Sequence, residues 1–253
     1  MTRRRSLPRA ALALTLAFVL AAVALPAAAD PLALPVESLG LPRDYSVKTQ
    51  ILLFMTLLGL LPMLAIVTTS FLRFVIVLAL LRQALGLQQG LPTRVVAGVA
   101  LLLTLLVMRP VGLDVWRNAI EPYDLDKITF REAVDRAQQP LSRFMLAQTS
   151  RASLEQIARL AGEKDLARPE DHAFVVKAAA FMLSELKTAF QIGSMLFLPF
   201  LIIDLVVAST LMAMGMMMLS PLVISLPLKL LLFVLVDGWT LTVDTLATSI
   251  QAY

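Results

Sequence analysis

The sequence predicts an all-α, membrane-associated protein built from bent helical hairpins with a small helical extracytoplasmic domain. Three observations lead there. Hydrophobic residues make up 58% of the chain and charged residues 16%, against roughly 25% charged in ordinary soluble domains. Apolar runs of the length that meets a ~30 Å hydrocarbon core recur along the chain. Strand-like alternation of useful length is missing, whereas helical spacing and helix-capping patterns recur.

The chain opens with "MTRRRSLPRAALALTLAFVLAAVALPAAAD". A basic start, an apolar run from Ala10 to Leu25 and small residues at Ala27, Ala28 and Ala29 predict a secretory signal peptide, residues 1–29, cleaved after Ala29. The alternative is an uncleaved first transmembrane helix, but the run is short for a full span and ends at Pro26. Residues 30–50 then form an extracytoplasmic arm that Pro31, Pro35 and Pro42 keep extended.

Residues 51–110 read as a hydrophobic helical hairpin. Its first limb runs from Ile51 to Phe71 and on from Val75 to Leu81, interrupted by Gly59, Pro62 and Arg73, and its second runs from Val95 to Met108. The connection "RQALGLQQGLPTR" carries Arg82 and Arg94 and no acid, which puts it on the cytoplasmic side. The hairpin is therefore entered from outside.

Residues 111–187 turn ordinary in composition, with both signs of charge, and predict a helical extracytoplasmic domain. In "TFRE", Thr129 and Glu132 have capping-box spacing, opening a helix that Pro140 closes or restarts. In "SLEQIARLAG", Leu154, Ile157, Ala158 and Leu160 recur at helical spacing before Gly162, a C-terminal cap. His172, the single histidine of the chain, follows Pro169, Glu170 and Asp171, which suit a helix start, and reads as a solvated helix residue.

Residues 188–253 form a hydrophobic C-terminal hairpin whose limbs do not match a bilayer. Ala189 to Leu219 contains Asp204 as its one formal charge, and a helix of that length reaches about 46 Å, well past the hydrocarbon core. Leu222 to Val236, with Pro227 and Lys229 inside, is short for a span. Gly193, Pro199, Gly215, Pro221 and Pro227 are placed to supply bends.

Composition excludes several classes of function. With no cysteine and one histidine, disulfides, thiolate or histidine metal sites and His-based triads are excluded, and no cofactor or metal is predicted. Paired carboxylates, a Gly-rich phosphate loop and a nucleophile motif are also missing, so the chain is not predicted to be an enzyme. The net charge is +4, but the basic residues are scattered among acids without aromatic interleaving, which argues against nucleic acid.

Two features stand out against this background. Asp204 and Lys229 would each cost ~2.5 to 3.5 kcal/mol at a membrane centre, so they should face protein or water, most simply as a structural ion pair. A proton relay and a snorkelling Lys229 are the alternatives. Arg73 faces the same accounting, and the sequence does not indicate its partner. The second feature is "MAMGMMMLSP", with Met212, Met214, Met216, Met217 and Met218 ahead of Pro221. Consecutive side chains step by about 100° around a helix and cannot share a face, and Pro221 biases Ser220 away from helix, so the stretch reads as a helix end or loop. Core filling, Cu(I) handling by thioethers and a deformable apolar pore constriction remain as readings.

At "AFMLSELKTAFQIG" and "PFLIIDLVVAS" the chain resembles the two signature segments of the FliP family of type III export. Matching residues of the first are Ser184, Glu185, Leu186, Lys187, Phe190 and Gly193. The resemblance extends through "GMMMLSP", "LPLKLLLFVLVDGW", "TSFLRFVIVLALLRQALG" and "QPLSRFMLAQTSRASL". It implies a core channel subunit of the flagellar protein export gate in the bacterial inner membrane and flagellar basal body, with exposure outside the cytoplasm. It also implies a homopentamer, partnered by the export-gate Q and R subunits and other flagellar export membrane proteins, that passes unfolded flagellar subunits. In the family the methionine loop lines the closed constriction, which maps onto Met216, Met217 and Met218 and makes the C-terminal hairpin pore-forming. A related branch serves virulence injectisomes, whose members usually lack a long cleaved signal, so the leader favours the flagellar branch.

Overall fold

The computed structural model describes residues 47–87, 90–163, 168–216 and 219–250. The signal peptide, all but the last residues of the arm, and Met217 and Met218 lie outside the described residues. Every regular element among them is helical. In chain order these are α1 (Val47–Thr68), α2 (Phe71–Ala84), α3 (Thr93–Val107), α4 (Arg109–Val115), α5 (Glu121–Asp124), α6 (Phe130–Gln148), α7 (Arg151–Leu160), α8 (Phe174–Ala213), α9 (Pro221–Leu235) and α10 (Gly238–Thr248). A π-helical turn, Trp116–Ile120, joins α4 to α5, and a 3₁₀ turn, Pro169–Asp171, precedes α8.

Helix α8 is the spine. Its 40 residues reach about 60 Å, and it is the one described helix long and apolar enough by itself to cross a membrane. Three more spans are possible if each sharply bent pair counts as one: α1 with α2 at 72°, α3 with the α4–α5 segment at 59°, and α9 with α10 at 65°. Leu198, Leu201, Ile202, Leu205 and Val206 of α8 are exposed in the single chain. A contiguous apolar face of this kind requires lipid or other polypeptide to cover it.

Three apolar clusters fasten the other helices to this spine. Phe74, Val77, Leu78, Val96, Ala100, Ala189 and Leu246 join α2, α3, α8 and α10. Leu81, Ala84, Leu85, Phe200 and Phe233 join α2, α8 and α9. Val111, Phe144, Met145, Ala178 and Phe181 join α4, α6 and α8, with the two phenylalanine rings edge to face at 5.8 Å.

Gly215 and Pro221 mark a break, between α8 and α9, but the other glycines and prolines expected to bend the chain do not. Gly59, Pro62, Gly193, Pro199 and Pro227 all lie inside uninterrupted helices. Pro140 neither closes nor restarts α6, which runs on to Gln148 with Pro140 buried. The fixed φ of proline is helical, and the loss is one hydrogen bond and some local crowding, which packing offsets. Between α1 and α2 the chain turns where the Thr68 and Thr69 hydroxyls donate back to the Leu64 and Ala65 carbonyls, at 2.8 and 2.7 Å. Such back-bonding competes with the helix ladder and bends it. The α9–α10 turn places Asp237 in the left-handed region, φ 48°.

The helical caps follow the sequence more closely. Thr129 and Glu132 form the reciprocal capping box of α6. Gly162, φ +75°, ends α7, with Gly162 N–H donating to Arg159 and Glu163 N–H to Ala158. Leu160, at 78% exposure, stands away from the core side that Leu154 and Ala158 occupy. His172 is not a solvated helix residue: it precedes α8, and its Nδ1 lies 2.6 Å from Glu163 Oε2 with only a tenth of its side chain exposed. Glu163 also accepts from the Ala173 N–H, so the pair ties the entry of α8 to the end of α7.

Candidate functional site: the methionine junction and its ionic clamps

Helix α8 ends in a glycine cap one residue before the methionine run. Gly215 adopts φ +76°, a conformation that costs an L side chain about 1–2 kcal/mol. Its N–H donates to the Met212 carbonyl, and the N–H of Met216 reaches back to Leu211, both at 3.0 Å. These two bonds are the Schellman arrangement that closes a helix. At the far side Ser220 is extended and Pro221 occupies the first turn of α9, where its missing N–H is harmless. Met216 therefore begins a loop and is 39% exposed, and Leu219 N–H donates to its carbonyl at 3.2 Å. Met212 and Met214, which helical packing would bury, are 61% and 67% exposed. They belong to the outward surface of the helix end, because the α8–α9 contact lies deeper along the hairpin.

That deeper contact holds Asp204 and Lys229. Lys229 Nζ donates to Asp204 Oδ2 at 2.5 Å and to the Ala84 carbonyl at 2.9 Å. The lysine side chain is 3% exposed and the aspartate 42%. A single ammonium thus fastens α9 to both α8 and the end of α2. Each partner lies about 12–14 Å along its helix from the junction, so the pair fixes the register of the two limbs beneath the loop.

A second clamp is buried further along the spine. Arg73 of α2 donates Nε to Glu185 Oε2 at 2.8 Å and a second guanidinium nitrogen to Oε1. It also donates to the Ser249 carbonyl at 2.7 Å, to Ser249 Oγ at 3.0 Å and to Gln148 Oε1 at 3.4 Å. Arg73 and Glu185 are 2% and 0% exposed. One guanidinium, whose planar fork suits bidentate pairing, gathers α2, α6, α8 and the end of α10. In the sequence Arg73 has no evident partner, and Glu185 stands out only as a signature residue. The available signal was that Glu185 is an acid bordering a long apolar run, which needs a cation just as Arg73 needs an anion.

The remaining signature residues divide between two faces of α8. Ser184 Oγ donates to the Gln148 carbonyl at 3.1 Å and accepts from Ser150 N–H at 3.0 Å, pinning the α6–α7 corner. Lys187 Nζ donates to Ser153 Oγ at 3.2 Å, and Leu186 is half-buried. At Gly193 a Cβ would lie 2.3 Å from Leu80 Cδ1, so α2 and α8 meet there at a distance that glycine permits. Phe190 points outward, 57% exposed.

No group of three or more His, Cys, Asp or Glu side chains that could hold a metal occurs among the described residues. What these features define is a class: an all-helical membrane-associated protein whose apolar limbs are registered by ion pairs, one buried and one half-buried, and end in a capped loop. The chain belongs to the FliP family, whose sequence model matches residues 54–246. It is 48% identical over 206 residues to the flagellar biosynthetic protein FliP of Cereibacter sphaeroides, covering 81% of this chain and 68% of that one. The same-named protein of Pectobacterium carotovorum is 48% identical over 207 residues, 82% of this chain and 80% of that one. The Caulobacter vibrioides protein of that name is 43% identical over 250 residues, 98% and 94% of the two chains.

Proposed function

We propose that this chain is a core channel subunit of the flagellar protein export gate, closed by the loop that begins at Met216. The observation that carries this reading is the junction itself, in a chain of this family: α8 is stopped by Gly215 just before the methionine run and α9 restarts at Pro221. The flagellar names of the relatives favour the flagellar branch over the injectisome branch. Several copies assemble with their loops around one axis, with the Q and R subunits as neighbours and the inner membrane as the site. The exposed apolar faces of α8 and α9 are of the kind that such an assembly covers. The role is non-enzymatic, and its substrates are unfolded flagellar subunits.

The physical demand on such a gate is to hold back ions while admitting side chains of many shapes. β-Branched residues are stiff at χ1 and would suit one cargo contour. Methionine, unbranched with three rotatable bonds, re-forms an apolar seal around each passing residue, and an apolar constriction excludes ions by dewetting. The ion pair beneath the loop holds the two limbs in register while the tip deforms.

The test is to replace Met216, Met217 and Met218 together by alanine in assembled complexes. Membrane conductance to small ions is expected to rise while export continues. Conductance unchanged from wild type overturns the gate assignment.

A further inference from the structure

Sulfur chemistry in this chain belongs to methionine alone. The sequence holds twelve methionines and no cysteine, and five of the twelve fall between Met212 and Met218. Met212, Met214 and Met216 are exposed, whereas Met145 is wholly enclosed in the cluster that joins α4, α6 and α8. Met55, Met63 and Met195 are exposed as well, but each lies on an apolar helix face of the kind that lipid or polypeptide covers. The run from Met212 differs because it leaves its helix: Gly215 ends α8 and Met216 opens the loop.

We propose, resting on the gate assignment above, that this run is an oxidation site that switches the seal: a hydroperoxide reaching the loop converts its thioethers to sulfoxides and makes the closed channel leak ions. A sulfur lone pair takes the distal oxygen of the peroxide, so the O–O bond breaks as the S–O bond forms. Sulfur loses two electrons, and the peroxide is reduced to water or an alcohol as a proton moves to the departing oxygen. The product side chain is polar, whereas an apolar constriction holds back ions by staying dry. Each sulfoxide is therefore a wet point on the wall. No thiol within the chain competes for the oxidant, and thiolates are the stronger nucleophiles. The support beneath the loop contains no sulfur, since Lys229 holds α9 through Asp204 and the Ala84 carbonyl. Oxidation thus changes the wall and leaves the limbs in register. Sulfoxides are returned to thioethers by dedicated reductases, which makes the change reversible.

The experiment treats the assembled complex containing the full chain, in lipid vesicles, with hydrogen peroxide and follows peptide masses and ion conductance. Each protein's own untreated conductance is its reference. In wild type, Met216, Met217 and Met218 are expected to gain one oxygen each, about 16 Da, ahead of Met145 and of Met55, Met63 and Met195. Conductance should rise in step toward that of the Met216→Ala/Met217→Ala/Met218→Ala variant, and fall back after methionine sulfoxide reductases of both epimer specificities act. Met216→Leu/Met217→Leu/Met218→Leu, which has no thioether in the loop, should show no peroxide-dependent rise. Oxidation of the loop no faster than that of Met145, a rise in the leucine variant equal to that of wild type, or a rise the reductases do not reverse each overturns the proposal. If the alanine variant leaks and the oxidised wild type does not, the switch fails and the gate assignment stands. If neither leaks, the gate assignment itself falls.

Discussion

Glu185→Leu tests the inner clamp at its most demanding point. The substitution keeps a side chain of similar bulk and removes the carboxylate that Arg73 meets through two guanidinium nitrogens. Water cannot take its place, because Arg73 is 2% exposed. The guanidinium keeps only neutral acceptors, the Ser249 carbonyl at 2.7 Å, Ser249 Oγ at 3.0 Å and Gln148 Oε1 at 3.4 Å. Removing one member of a buried pair costs about 3–5 kcal/mol, and these surviving bonds place the expected loss near the lower bound, about 3 kcal/mol. For a chain of this size that lowers the unfolding midpoint by about 6–12 °C.

Arg73→Met should cost more, about 5 kcal/mol, since it leaves the Glu185 carboxylate buried and unpaired and also strands the Ser249 carbonyl and Gln148, at about 1 kcal/mol each. The double variant Arg73→Met/Glu185→Leu discards both charges, which is often neutral by itself, and keeps only that stranding. It should therefore lie about 2 kcal/mol below wild type, far short of the roughly 8 that simple addition of the singles gives. Pulse proteolysis of the detergent-solubilised chain across a denaturant series measures all four corners of the cycle. A loss below about 1 kcal/mol for Glu185→Leu, or additive singles, refutes the argument that the pair is dry and mutually dependent.

Gly193→Val should destabilise by about 1–3 kcal/mol, as overpacking does, because its Cβ would meet Leu80 Cδ1 at 2.3 Å; adding Leu80→Ala should recover part of the loss, and an unperturbed Gly193→Val denies the close approach. At the outer clamp, exchanging the charges with Asp204→Lys/Lys229→Asp should fail to restore assembly, because a carboxylate at 229 would face the Ala84 carbonyl that now accepts from Lys229. Asp204→Leu/Lys229→Met should assemble better than either single variant, and recovery by the exchange instead shows that Ala84 plays no part. Thr129→Ala removes the hydroxyl half of the capping box, leaving the Thr129 N–H to Glu132 bond, and should speed amide exchange in the first turn of α6 about fivefold, from a cap loss of ~1 kcal/mol. The Glu132 carboxyl is held below its ordinary value, chiefly by the Thr129 backbone N–H. Its contribution is therefore full at neutral pH and lost as pH falls through that lowered value, and exchange in that turn that ignores acidification contradicts the assignment.

What could be read from the sequence were features set by neighbouring residues. The capping box at Thr129 and Glu132, the glycine cap at Gly162 and the break between Gly215 and Pro221 each depend on a few adjacent side chains, and each stands in the structure. Asp204 and Lys229 are 25 residues apart on facing limbs, close enough for a hairpin to bring them together on charge alone. Arg73 and Glu185 are 112 residues apart, and only the packing of α2 along α8 unites them. Prolines misled in the other direction. Breaking a helix at Pro140, Pro199 or Pro227 would expose backbone groups in apolar or buried surroundings, which costs more than the single bond that proline removes. His172 looked solvated because its partner, Glu163, arrives from the preceding helix end.

The arrangement of the two clamps bears on how the proposed deformable seal can sit on a stiff support. Apolar packing alone leaves helix register weakly defined, since one leucine row slides past another at little cost in contact, whereas an ion pair whose cation is buried has few satisfactory geometries. Lys229 sets α9 against α8 near the loop, and Arg73 sets α2 against α8 further down, with Gly193 allowing the close contact between them. Below the glycine cap the limbs are thus registered by charge and by contact. Beyond it, Leu219 N–H donates to the Met216 carbonyl and the Ser220 carbonyl accepts from Val223 N–H, both at 3.2 Å. Substitutions in the clamps should therefore lower assembly and stability together, whereas substitutions in the loop should alter ion conductance with assembly intact. A loop variant that fails to assemble, or a clamp variant that assembles fully but leaks, would show that seal and support are not separate.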